Sequence, residues 1–240
     1  MSRTKAYKNA EFIDGKSARA LRILAEYLEP KARFEAHGLE DTIVFFGSAR
    51  FKEGNPWYEA ARQLAFRLTQ WSKALESKER RFVVTTGGGP GIMEAANRGA
   101  SEAKGVTAGI GISIPIEQTD NQYITHGLSF HFHYFFMRKF WFAYLAKAMI
   151  AFPGGFGTLD ELFETLTLVQ TKKMKKPMPI VLFGTGYWNE VINFDALVRH
   201  GTVSAEDLEL FYRTDSVDDA FAWMVSKLSE HAVGNPGATL

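Results

Sequence analysis

Residues 150–161 read Ile-Ala-Phe-Pro-Gly-Gly-Phe-Gly-Thr-Leu-Asp-Glu. The apolar run Met149 to Phe152 predicts a buried strand, Gly154-Gly155-Phe156-Gly157 a loop, and Thr158 to about Gln170 an amphipathic helix. A strand that runs through glycines into a helix N-terminus makes an anion site. Its first backbone N–H groups lack intrahelical acceptors, and the helix dipole adds about half a positive charge. Glycines let a phosphate approach the backbone closely.

A second unit of this kind lies upstream. Phe82 to Thr85 predicts a strand, Thr86-Gly87-Gly88-Gly89-Pro90-Gly91 a glycine loop, and Ile92 to Ala103 a helix with Met93, Ala96 and Ala100 on one face. Two strand–glycine–helix units can converge on one ligand at the carboxyl edge of a sheet, so Gly88 and Gly89 join the candidate binding residues. Further strands are expected at Thr42 to Phe46, 106–112, Ser129 to Phe132 and Ile180 to Phe183. Helices are expected at 17–36, Pro56 to Leu75 and 134–147. Strands alternating with helices predict a Rossmann-like α/β fold, a mostly parallel sheet with helices on both faces. Its continuously apolar strands suit burial there. With 240 residues and no internal linker, the expectation is one domain over 1–240. A helical extension at about 15–37 precedes it, and a short helical tail closes it.

Apolar residues make up 46% of the chain and the formal net charge is +1, which supports neither a nucleic-acid nor a membrane surface. No apolar run is long enough to span a bilayer. The polar stretch Met1 to Glu11 lacks a signal-peptide core. The absence of cysteine excludes disulfides and thiolate chemistry and fits a cytoplasmic protein.

Glu161 has two readings. Thr158-Leu159-Asp160-Glu161 is a capping-box pattern, in which Glu161 would bond back to the backbone of residue 158. A plain cap does not need the glycines in front of it, and their presence favours chemistry. Arg138 and Lys139 stand in Phe135-Phe136-Met137-Arg138-Lys139-Phe140-Trp141-Phe142, a helix apolar nearly all round. A charge buried there needs a partner: a structural carboxylate, Glu161 or a substrate phosphate. So many apolar directions on one helix also predict a second subunit. His131 and His133 alternate on a short strand and read as structural.

Gly87-Gly88-Gly89-Pro90-Gly91-Ile92-Met93-Glu94-Ala95-Ala96-Asn97, Arg138-Lys139 and Pro153-Gly154-Gly155-Phe156-Gly157-Thr158-Leu159-Asp160-Glu161 together resemble the Lonely Guy family. Its members are cytokinin riboside 5′-monophosphate phosphoribohydrolases, long mislabelled lysine decarboxylases. The resemblance covers about residues 40–200 and is nearest a larger bacterial subgroup. It implies hydrolysis of the N-glycosidic bond of a purine nucleoside 5′-monophosphate, AMP or an N6-substituted AMP, without a cofactor. By matching position it implies that Arg138 and Glu161 are catalytic. It likewise makes Gly154, Gly155, Phe156, Gly157, Thr158, Leu159 and Asp160 a phosphate loop, and Lys139, Glu117 and Thr167 further substrate contacts. It also implies a homodimer or an assembly of dimers. The alternative is a non-catalytic nucleotide carrier or sensor on the same fold.

Overall fold

The computed structural model describes residues 4–114 and 121–238. Glu117 lies outside them. Seven strands form one sheet in the order β4-β3-β2-β1-β5-β6-β7: β1 (Thr42–Phe46), β2 (Val83–Thr86), β3 (Thr107–Ile112), β4 (Ser129–Phe132), β5 (Ala146–Ala151), β6 (Ile180–Phe183) and β7 (Tyr212–Thr214). Every neighbouring pair is parallel.

Alternation along the strands assigns the two faces. Val44 and Phe46 point into one core, with Phe34 of α2 (Arg19–Ala36), Trp141 and Phe142 of α5 (Phe135–Leu145), and Leu162 of α6 (Phe156–Gln170). α7 (Thr185–Val191) and α8 (Phe194–Arg199) add Trp188 and Phe194 to it. Ile43 and Phe45 point the other way, against α3 (Pro56–Lys73), α4 (Ile92–Glu102) and α9 (Val217–His231). A short α1 (Ala10–Asp14) precedes α2. Sheet order reverses between β1 and β5, so the loops that leave these two strands part there and open a crevice.

Several boundaries differ from expectation. The helix predicted to 147 ends at Leu145, and Ala146 and Lys147 open β5. Lys147 is 4% exposed, and burial lowers its pKa against the pull of Asp41. It falls where the β1/β5 register slips between Thr42 and Ile43. The tail is more than short helices: β7 adds a seventh strand beside β6, and α9 packs across α3. Pro30 inside this helix predicts a kink or a split from sequence, but α2 runs through it. Phe34 packs at a tilt on Phe130 at 4.6 Å and Trp141 at 5.3 Å, a burial that offsets the roughly 3 kcal/mol cost of an interior proline.

The start of α6 bears on the site. α6 begins at Phe156, with Gly155 as its N-cap, so Phe156 and Gly157 are helical. Thr158 stands in the third helical position and Glu161 in the second turn. The capping box therefore does not form, and Glu161 is not an N-terminal cap. Two tight packings of the glycine loop set this start. A Cβ on Gly154 would meet the Thr158 side chain and lie 3.1 Å from the Gly47 carbonyl carbon, while Pro153 accepts a 2.9 Å bond from Ser48 N–H.

Candidate active site

A cleft of about 600 Å³ opens at the crevice between β1 and β5, a size suited to a nucleotide. The loop after β1 gives it Ser48 and Arg50, α4 gives Met93, α5 gives Arg138, and the glycine loop gives Gly154 to Leu159. Tyr187 of α7 closes one side, and its hydroxyl donates to the Gly154 carbonyl. At the start of α6 the N–H groups of Phe156 and Gly157 have no acceptor among the described residues. Those of Thr158 and Leu159 turn back to the Gly155 carbonyl, at 3.0 and 3.1 Å. Gly155 and Gly157 present their Cα hydrogens to open space, so an anion can settle against this turn.

Arg138 and Glu161 come together as the sequence suggested, with Nη1 3.5 Å from Oε1. Arg138 forms the cleft wall. Its Nε donates to the Ile110 carbonyl at 3.0 Å, and its guanidinium lies 5.1 Å from the Phe142 ring centre. A Cβ on Gly87 would stand 3.2 Å from its Nη2, so the arginine bridges both glycine loops. Glu161 lies one layer behind it, with a side chain only 6% exposed. Its Oε1 is buried with no hydrogen-bond partner among the described residues. Burial raises the Glu161 pKa above the usual carboxylate range, against the pull of Arg138 and Lys139. The nearby cations that favour an ionised Glu161 are thus present but outweighed. Burial also lowers the Arg138 pKa, opposed by Glu161.

Lys139 turns to the outer face of α6. Its Nζ is 2.7 Å from Asp160, 2.5 Å from Glu164 and 3.7 Å from Glu161. Burial depresses its pKa, but the bonds to Asp160 and Glu164 outweigh this and hold it above the ordinary lysine value. Lys139, Asp160 and Thr167 share a shallow hollow beside the main cleft instead of lining the cleft itself. Thr167 Oγ1 donates to the Phe163 carbonyl at 2.7 Å. Gly88 and Gly89 do not reach the cleft wall either: Gly88 packs on Gly109 and Ile124, and Gly89 on Met93. A buried network fixes that loop, with Gly88 N–H donating to Thr86 Oγ1, which donates to Asn97 Oδ1 at 2.6 Å. His131 and His133 are exposed, and no metal-ligand cluster occurs among the described residues.

Sequence reasoning missed Arg50, Met93 and Tyr187; Ser48, in Gly47-Ser48-Ala49-Arg50 after the first strand, reads from sequence as a turn or ligand-edge contact, and it lies in the cleft. The signal for Ser48 and Arg50 was their place just after the first strand, at the edge where sheet order reverses. Met93 sat in the apolar face of a predicted helix, and nothing local marks Tyr187.

A family model described as "Possible lysine decarboxylase" matches residues 93–224, more than half of the chain. LOG7 of Arabidopsis thaliana, named a cytokinin riboside 5′-monophosphate phosphoribohydrolase, is 34% identical over 182 residues, 73% of this chain and 74% of LOG7. The chain belongs to the Lonely Guy family. LOG5 of the same plant, with the same named activity, is 29% identical over 211 residues, 86% of this chain and 82% of LOG5. Among solved structures, TM1055 superposes with a TM-score of 0.55 at 21% identity, covering 78% of this chain and 99% of TM1055. A molybdenum cofactor binding protein from Rippkaea orientalis gives 0.52 at 18% identity, over 78% of this chain and 98% of that one. These two likenesses establish the Rossmann-like fold alone. No helix among the described residues is long and apolar enough to cross a membrane.

Proposed function

We propose that the chain hydrolyses the N-glycosidic bond of a purine nucleoside 5′-monophosphate, AMP or an N6-substituted AMP, to free base and ribose 5-phosphate. The observation that carries this reading is the buried carboxylate of Glu161. One of its oxygens is left without a hydrogen bond, 3.5 Å from the arginine that walls the cleft. A buried unsatisfied acceptor is costly, and a site that keeps one keeps it for a ligand or a reaction. The named activity of the relatives supports the same reaction class.

In this reading the phosphate sits on the Phe156 and Gly157 N–H groups with Arg50 beside it, which orients the ribose. Side-chain rotamer changes are common on binding, and a turn of Arg138 toward the nucleotide uncovers Glu161. As the base leaves, positive charge grows on the ribose, and Glu161 stabilises it and takes a proton from the attacking water. A carboxylate with a raised pKa suits that proton transfer. The overall balance is nucleotide plus water to base plus ribose 5-phosphate.

The second reading is a carrier that binds a nucleotide-like ligand without turnover, favoured by the named role of the Rippkaea orientalis neighbour. Incubation with nucleoside monophosphates, followed by chromatography for free base, separates the two. Release of base from AMP but not from adenosine supports the enzyme. Binding with no release supports the carrier.

A homodimer belongs to the same proposal. Phe135 and Phe136 remain 52% and 51% exposed at the start of α5, and Phe156 is 92% exposed at the cleft mouth. A second copy over these rings would close the site from outside. A cytoplasmic location completes the reading, consistent with a chain that has no cysteine.

A further inference from the structure

We infer that Glu26 of α2 is a positioning residue of the proposed site: its carboxylate seats the first turn of α5 and so fixes where Arg138 stands against Glu161. The inference rests on the roles proposed above for that pair. α5 has no cap of its own. The residues around its start, Phe132-His133-Tyr134-Phe135-Phe136, include no Ser, Thr, Asp or Asn, and Tyr134 at the N-cap makes no side-chain cap bond. Both ends are held by other elements. At the start, Glu26 Oε1 accepts from the His133 N–H at 2.7 Å, and Oε2 accepts from the Tyr134 N–H at 3.2 Å. At the end, Lys176 Nζ donates to the Ala143 and Tyr144 carbonyls, each at 2.8 Å. A carboxylate suits the positive end of a helix dipole, and a lysine suits the negative end.

Two hydrogen bonds separate Glu26 from Arg138. The Tyr134 peptide gives its N–H to Glu26, and its carbonyl accepts from the Arg138 N–H at 3.2 Å. The main chain of Glu26 holds α5 a second time, because Trp141 Nε1 donates to the Glu26 carbonyl at 3.0 Å. Next to it, the Tyr27 ring lies 5.7 Å from Phe140 and 5.6 Å from Trp141, while Leu21, Leu24 and Leu28 on α2 face outward. One residue of α2 therefore grips α5 on both sides of Arg138, over about two helical turns. Apolar packing is non-directional and lets a helix as aromatic as α5 slide or turn, whereas these bonds fix its position along and about its axis. Arg138 needs that precision. Its Nε bond to the Ile110 carbonyl is 3.0 Å, but its approach to Glu161 is only 3.5 Å. A misplacement of about 1 Å passed on from a remote residue can cost about a hundredfold in rate.

Glu26→Ala removes both acceptors at the start of α5 and keeps the carbonyl that Trp141 uses. Well below the unfolding temperature, with the fold checked by circular dichroism, kcat for AMP should fall by at least about tenfold. KM should stay within about twofold, because the phosphate turn belongs to α6. Arg22, on the same helix, bonds to the Ile13 and Gly15 carbonyls instead, so Arg22→Met should leave kcat unchanged. Glu161 supplies a readout that does not need turnover. In protein carrying isotope-labelled glutamate, its carboxyl resonance is assigned by its loss in Glu161→Gln. That resonance should titrate at least about half a pH unit higher in Glu26→Ala than in wild type, toward its position in Arg138→Gln, because a displaced guanidinium favours the ionised form less. If Glu26→Ala does not fold, Glu26→Gln, which keeps one acceptor oxygen, carries the same comparison in the same direction. A loss of thermal stability with kcat and the Glu161 titration both unchanged would make Glu26 a structural cap and overturn the proposal. So would a fall in kcat with the titration unmoved, since Arg138 would then not have shifted. If wild type releases no base from AMP, the hydrolase reading fails, and the Glu161 titration alone decides the role of Glu26.

Discussion

The two glycine loops look like twins in sequence and do opposite work in the structure. The loop at 87–91 is packed shut. Gly91 holds φ +73°, and a Cβ there would collide with the Ser48 carbonyl and stand 2.7 Å from the Ala49 carbonyl carbon; Gly88 lies against Gly109. The loop at 154–157 closes at Gly154 and then opens, with free space over Gly155 and Gly157. Glycine is used once to let backbone meet backbone and once to leave open space at the cleft. A motif search scores both alike, because the absent Cβ is the same in each.

The largest test of this division lies behind the open loop. Glu161→Gln should lower turnover of AMP by about 10³-fold or more while nucleotide binding persists, as measured by initial rates and by equilibrium titration. The pKa direction adds a sign. Glu161 holds its proton more tightly folded than unfolded, so its contribution to stability is present below the unfolded value of 4.5 and is lost as pH rises through the raised folded value. Wild type should lose that contribution across this window and the glutamine variant should not, which paired unfolding curves will show. An activity equal to wild type in the variant would make the open loop as structural as the closed one.

Gly91→Ala should cost about 3 kcal/mol or more in stability, from the positive φ together with the collision with Ser48. Thermal unfolding should move down by roughly 10 °C for a chain of this size. Gly155→Ala should do the reverse. Its backbone is extended and its Cβ direction is open, so stability should stay within about 0.5 kcal/mol. The methyl would enter the proposed phosphate space, and KM for AMP should rise about tenfold, roughly 1.4 kcal/mol of binding. Equal stability losses at Gly91 and Gly155 would erase the distinction between the loops.

The smallest effect sharpens it. Tyr187→Phe removes the hydroxyl that holds the Gly154 carbonyl, a loss of about 1 kcal/mol. If the bond positions the open loop, KM should rise more than kcat falls, alongside that small stability loss. A stability loss alone would make Tyr187 mere support.

Much of the site was legible because its residues lie in short local patterns. Glycine and proline between an apolar strand and a helix mark a candidate anion turn, and Arg138 was visible as a charge in an apolar helix. Lys139 and Thr167 were placed beside the cleft only by the direction their helices face. A strict alternative for Glu161, cap or chemistry, could not be decided from spacing, because it depended on where α6 starts. That start goes with Gly154 wedged against Thr158 within its own turn and against Gly47, more than 100 residues away in the chain.

The sequence alone determined the alternation of strands and helices, the parallel sheet, and the glycine turns at its carboxyl edge, since each follows from periodicity and backbone freedom within a dozen residues. Only the tertiary structure decided which loop stays open, that Glu161 stands behind Arg138, and that Ser48, Arg50, Met93 and Tyr187 meet there. It alone turned a predicted N-terminal extension into a helix that covers α5 and bares leucines outward. Those outcomes depend on sheet order, on the side of each helix that finds a core, and on which Cβ directions are already filled. Such facts arise from residues far apart in the chain, and no local pattern carries them.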